Sequence, residues 1–184
     1  DVRVYPYVRS GAEIIQEAQG HAGHWTMDET VSGAGKTILD GSANMNHGTT
    51  QGAPDCTVAG KRAGGCLLDG ADDAIALPIA VCAIGGVLGG GAEDFTVGTW
   101  FQSTQGGSDK FLINSLSGGA TIGYSMKLNN GRLDVRVADG TTVVNTLTDD
   151  AYSDGAWHRV MVVVDRAGDV VKIYVDGALV KTGD

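Results

Sequence analysis

The stretch Trp157–Lys181, WHRVMVVVDRAGDVVKIYVDGALVK, is the most informative in the chain. His158, Val160, Val162 and Val164 fall on one side of an extended backbone, and Arg159, Met161, Val163 and Asp165 on the other. After a turn at Arg166–Asp169, Val171, Ile173 and Val175 alternate with Lys172, Tyr174 and Asp176. Period two with β-branched enrichment means two antiparallel strands joined by a hairpin. Asp176-Gly177 then separates Tyr174-Val175 from Ala178-Leu179-Val180, and an Asp-Gly pair suits a type I′ turn with positive φ at both residues. Three strands with one apolar face need a second sheet to cover it.

Working outward, Asn130-Gly131 is a second strong hairpin turn, between Tyr124–Leu128 and Leu133–Val137. Thr141–Leu147 adds a strand, and Asp149–Gly155 forms an acidic loop back to Trp157. Asp94–Ser103 (DFTVGTWFQS) has large residues on both faces, as a central strand would. Lys110–Asn114 follows it after a loop. Upstream, Gly65–Leu77 reads as strand, Asp-Gly turn, strand, with Ile75 and Leu77 inward. His24–Glu29 (HWTMDE) alternates as a strand, and Asp40–Thr50 is a polar loop entering a strand at Thr49. Val2–Val8 reads as an edge strand because of Pro6. Ser10 with Glu13 makes a capping box for a short helix stopping at Gly20. Ile79–Gly91 has no clear assignment. About a dozen closely spaced strands with one short N-terminal helix make an all-β antiparallel sandwich.

The chain has 184 residues, 29 of them Gly and only three Pro, as many tight turns require. A domain of this size buries roughly 70% of its unfolded surface and needs no metal to hold a core. Its formal charge of −9 argues against a nucleic-acid partner, and no apolar run reaches a membrane span. No leader-like segment stands at the start, so Asp1 reads as a mature or excised beginning. Cys56 and Cys66 flank TVAGKRAGG; they are either a disulfide, which is the expectation, or two buried thiols. Cys82 reads as a small buried side chain.

Few residues suggest chemistry. SGAGKT at Ser32–Thr37 resembles a phosphate loop, but Thr30 stands where that motif needs Gly and no helix follows. Glycoside hydrolysis needs two facing carboxylates, and Glu13, Glu17, Glu29 and Glu93 stand in no suitable run. Asp72 and Asp73 are adjacent and point to opposite faces of a strand. His21, His24, His47 and His158 have no supporting motif and read as surface or rim residues. Hard cations want several oxygens, and DGSANMNHG offers Asp40, Asn44 and Asn46, with Glu29 in reach. The alternative is that Asp40 and Asn44 only bond backbone amides of the turn.

Six motifs in order, HWTMDE, DGSANMNHG, CLLDGADDAIALP, DFTVGTWFQ, GAWHRVMVVVD and KIYVDGALV, resemble the laminin-G-like, concanavalin A-like lectin/glucanase jelly roll of bacterial multidomain surface proteins. The likeness runs from about Gly20 to Val180. It departs at Ala43 and Met45, where such domains carry Gly. They also end in a strand resembling G-x-I-D-D-V-R-I-Y and a short helix, whereas this chain begins with DVRVYPYVRSGAEII. The resemblance therefore implies that residues 1–20 finish a preceding repeat and 21–184 form the sandwich, without the family's last strands. The other reading makes Asp1–Val8 the domain's own first strand. By the same resemblance the Asp40 loop holds a structural calcium, with Asp1 at a second position. The implied role is a secreted or cell-surface, non-enzymatic adhesion or scaffold module, one repeat of a tandem array or filament. Its partners would be copies of itself, or a surface glycan or protein. Carbohydrate binding is the alternative, with Tyr5, Tyr7, Trp100 and Tyr152 as the candidate stacking aromatics.

Overall fold

The computed structural model describes residues 22–42, 44–78, 94–107, 109–116, 122–166 and 168–184. The expected Val2–Val8 strand, the Ser10–Gly20 helix, the Ile79–Gly91 connection, Cys82, Ala43 and Asp1 lie outside them. Among the described residues there are strands and no helix. The strands are β1 Thr37–Ile38, β2 Gly48–Gln51, β3 Asp55–Ala59, β4 Gly64–Leu67, β5 Ala74–Ala76, β6 Phe95–Gln102, β7 Lys110–Asn114, β8 Ile122–Asn129, β9 Arg132–Asp139, β10 Val143–Ala151, β11 Trp157–Asp165, β12 Val170–Val175 and β13 Ala178–Gly183.

Two four-stranded antiparallel sheets, ordered β10-β9-β8-β7 and β13-β12-β11-β6, form the body. Smaller sheets are β1-β2-β5 and the β3-β4 hairpin. Alternation sets the layers: Tyr124, Met126 and Leu128 of β8 and Leu133, Val135 and Val137 of β9 point inward. They meet Val160, Val162 and Val164 of β11 and Val171, Ile173 and Val175 of β12. Leu133 and Ile173 are fully buried, and each such side chain contributes about 2 kcal/mol by leaving water. Phe101 and the ring pair Phe95–Tyr124, with centroids 5.4 Å apart, extend this core across β6.

Both hairpin turns adopt the expected geometry. Asn130 and Gly131 have φ of 51° and 80°, and Asp176 and Gly177 have 52° and 88°. Each joins its strands through a two-residue loop, Asn129 opposite Arg132 and Val175 opposite Ala178. The disulfide between Cys56 and Cys66 is formed and ties β3 to β4.

Other expectations need correction. The run His24–Glu29 is not a strand; it makes one bridge, Trp25 to Asp40. Met27 has a φ of 58°, which breaks the extended backbone, and the Asp28 carboxylate accepts the Gly64 N–H instead. The two strands flanking Asp69-Gly70 do not pair with each other, since β4 lies on β3 and β5 on β2. Ile75 and Leu77 are only half-buried.

Candidate functional site

The Asp40 loop is organised from the carboxylate outward. Oδ1 accepts the N–H groups of His24 and Ser42, both at 2.8 Å. Oδ2 accepts the Ser42 hydroxyl at 2.7 Å and the Asn46 N–H at 2.8 Å. A carboxylate has about four lone-pair positions, and protein donors take all of them. Burial alone would raise this pKa, but the Ser42 hydroxyl and the amides of His24, Ser42 and Asn46 outweigh it and bring it to about 2. Around this hub, Trp25 Nε1 donates to the Asn46 carbonyl, and the Asn44 and Asn46 carboxamides donate to the Ala22 carbonyl.

Measured against a calcium ion, the expected ligands therefore divide. Asp40 does not fit, because its oxygens already face hydrogen-bond donors. Glu29 does: Oε1 accepts the Leu39 N–H at 2.6 Å, while Oε2 is buried without a partner. A second acidic group, at Asp69, Asp72 and Asp73, has ligand oxygens within 4.8 Å of one another. The amide of Ala53 donates to Asp73, those of Ala71 and Asp72 to Asp69, and Lys110 Nζ lies 3.0 Å from the neighbouring Gly70 carbonyl.

The Ser32–Thr37 run, set aside above as a phosphate loop, is a turn at Gly33–Gly35 followed by the short strand β1. Among the described residues no helix N-terminus stands behind it to receive an anion. The sugar-stacking candidates are also engaged. Lys61 Nζ sits 5.6 Å from the Trp100 ring centroid, and the Tyr152 ring meets His158 edge-on at 5.3 Å. Tyr5 and Tyr7 lie outside the described residues.

A shallow, open depression occurs at one end of the sandwich between the β9–β10 and β11–β12 turns. Val137, Val144, Val164 and Val171 line it, with Asp139, Thr142, Asp169 and Arg166 also contributing. Arg166 lies over Phe95 at 5.9 Å, and its Nε is buried without a partner. Sequence reading missed this site because hairpins far apart in the chain assemble it.

His158 was expected at the rim, yet it is half-buried with both ring nitrogens engaged. Nδ1 is 2.8 Å from Asp176 Oδ2, and Nε2 is 3.1 Å from Asp154 Oδ1. Asp176 also accepts the Arg159 N–H, and Asp154 the Ala156 N–H. Two carboxylates gripping one ring make a structural clamp.

A family model described as the concanavalin A-like lectin/glucanases superfamily (Laminin_G_3) matches residues 69–184. No curated protein and no solved structure matches the chain. The matched residues include both four-stranded sheets with their shared core, and the chain belongs to the concanavalin A-like lectin/glucanase superfamily as a laminin-G-like jelly roll.

Proposed function

We propose that this chain is a non-catalytic, extracellular module of the adhesion or scaffold type, one repeat of a tandem array or filament. The superfamily assignment supports a binding or adhesion-type module, and the hydrogen bonding of the acids agrees with it. Asp40, Asp55, Asp69, Asp139, Asp154 and Asp176 all have pKa values below the ordinary one. Glycoside cleavage needs one carboxyl held up, as a proton donor to the leaving oxygen. Among the described residues, these six aspartates accept backbone amides in turns and loops. The Cys56–Cys66 disulfide supports an oxidising compartment, and no helix among the described residues is long and apolar enough to cross a membrane.

Carbohydrate binding is the second reading, supported by the Arg166 depression and by the superfamily. A glycan array run beside a self-association assay on the full chain separates the two. Self-association with a silent array supports the scaffold; a saturable sugar signal abolished by Arg166→Ala supports the lectin. Turnover of any polysaccharide would overturn both.

Calcium belongs to the proposal through one atom, the Glu29 Oε2 that is buried without a partner. Bound there, the ion would supply charge neutralisation and rigidity. Chelation should lower Tm in the native chain and leave Glu29→Gln unchanged. A chelation effect lost instead in Asp72→Asn would move the ion to the Asp69–Asp73 group.

A further inference from the structure

The sheet β13-β12-β11-β6 turns one face into the core and the other outward. With Val160, Val162 and Val164 pointing inward, strand alternation fixes what the outward face carries. Gly98, Met161, Tyr174 and Leu179 stand side by side across the four strands. Trp100 neighbours Arg159 in the row to one side, and Val163 neighbours Lys172 in the row to the other. None of these residues is buried, and Arg159 and Leu179 are exposed, so the face meets solvent across its breadth. On the other main sheet, by contrast, the outward Ser125 and Ala138 are buried.

The charge on this face is one-sided. Arg159 and Lys172 rise from it, and Lys61, in the β3–β4 turn, sits 5.6 Å from the Trp100 ring centroid. Among the described residues none of these three forms an ion pair, whereas Lys127, Arg132 and Lys181 all do. Asp176, at the border, is already held by His158 and the Arg159 N–H. Three unmatched cations among Trp100, Met161 and Tyr174 select an acidic partner that also offers apolar contact.

We propose that this outward face docks on an acidic surface of a second copy of the chain, an inference that rests on reading the chain as one repeat of an array. The formal charge is −9, and three positive charges gathered on one face leave the rest of the chain more acidic still. Asp72, and Asp150 on β10, are exposed and form no ion pair among the described residues. Face against face would set Arg159 and Lys172 beside their own counterparts, so two-fold pairing is disfavoured. The contact is therefore heterologous, and a heterologous contact that does not close into a ring builds an open row. Four strands, about 19 Å across and about 27 Å long at the eight residues of β6, give about 500 Å² on each side. Twice that area lies at the low, transient end of specific interfaces. Single copies therefore associate weakly, and linking repeats on one polypeptide raises their effective concentration to the mM range. At a Debye length of about 8 Å the local match outweighs the repulsion between two chains of the same net sign.

Sedimentation of the native chain at concentrations up to about 1 mM tests this. Association should appear at about 0.15 M salt and weaken at about 1 M. Arg159→Glu with Lys172→Glu should raise the dissociation constant about tenfold or more at unchanged Tm. Lys61→Glu with Arg62→Glu, outside the two main sheets, should shift it in the same direction whatever the first pair does to folding. The Arg159/Lys172 variant keeps its acidic side, so a minor fraction of it should cap native rows and shorten them. Equal association of native and variant chains would overturn the proposal and leave the array reading with another surface. Dimers that the variant fails to cap would mean a two-fold contact and overturn it too. A native chain that stays monomeric throughout would overturn both this docking and self-association as the basis of the array. An acidic polysaccharide bound by that monomer and released by Arg159→Glu would assign the face to a glycan instead.

Discussion

His158 Nδ1 lies 2.8 Å from Asp176 Oδ2, which joins the start of β11 to the β12–β13 turn. With Asp154 on Nε2, both nitrogens can donate only when the ring is protonated. Burial works against the charge, but the bonds to Asp176 and then Asp154 outweigh it, and the His158 pKa is raised. The backbone N–H of Arg159, then His158, lowers Asp176; that of Ala156, then His158, lowers Asp154.

The clamp makes stability depend on pH at both ends. A raised His158 contributes fully below its ordinary value of 6.5, and the contribution fades as pH rises through the folded value. The lowered carboxyls contribute above 3.8, and this is lost as pH falls through their folded values. Tm scans of the native chain and His158→Gln should therefore differ most in mildly acidic buffer and converge in alkali. Parallel curves throughout would mean that the ring is not clamped.

Asp40→Asn places an amide among four donors that all need acceptors. Urea unfolding should show a loss of about 2–4 kcal/mol. Asp72→Asn, at an exposed position of the other acidic group, should stay within about 0.5 kcal/mol. Equal effects would remove Asp40 from its role as the loop's hub.

Cys56 and Cys66 close a loop with a sequence separation of 10 residues. On the chain-entropy model, replacing both by Ser should cost about 3 kcal/mol, read from denaturant midpoints under oxidising conditions. The added reductant should have no effect on that double variant.

Ile173 is fully buried between the sheets, while Leu179 on the edge strand β13 is 53% exposed. Ile173→Ala should destabilise by about 2–5 kcal/mol and Leu179→Ala by about 0.5 kcal/mol or less. Similar losses would mean that β12 does not face a closed core.

The body of the fold was legible because its signals are local. Val160, Val162 and Val164 alternate without interruption, and Asn130-Gly131 and Asp176-Gly177 announce their own turns. The amino-terminal part read less well. HWTMDE alternates like a strand, but a positive φ at Met27 and the bond from Gly64 to Asp28 take the chain out of any ladder. Asp40 stood out as a candidate calcium ligand, whereas its oxygens face three amides and a hydroxyl, as the alternative reading of the turn had it. His158 looked idle because Asp176, 18 residues on, reaches it only after two hairpins have formed. The Arg166 depression depends on the same kind of long-range closure.

The reading as a binding or structural module is tested most directly by assaying purified full-length chain for new reducing ends on a panel of polysaccharides. The account predicts none above buffer, in samples whose disulfide and Tm show the chain to be folded. Sustained release that disappears on replacing a single carboxylate would contradict it.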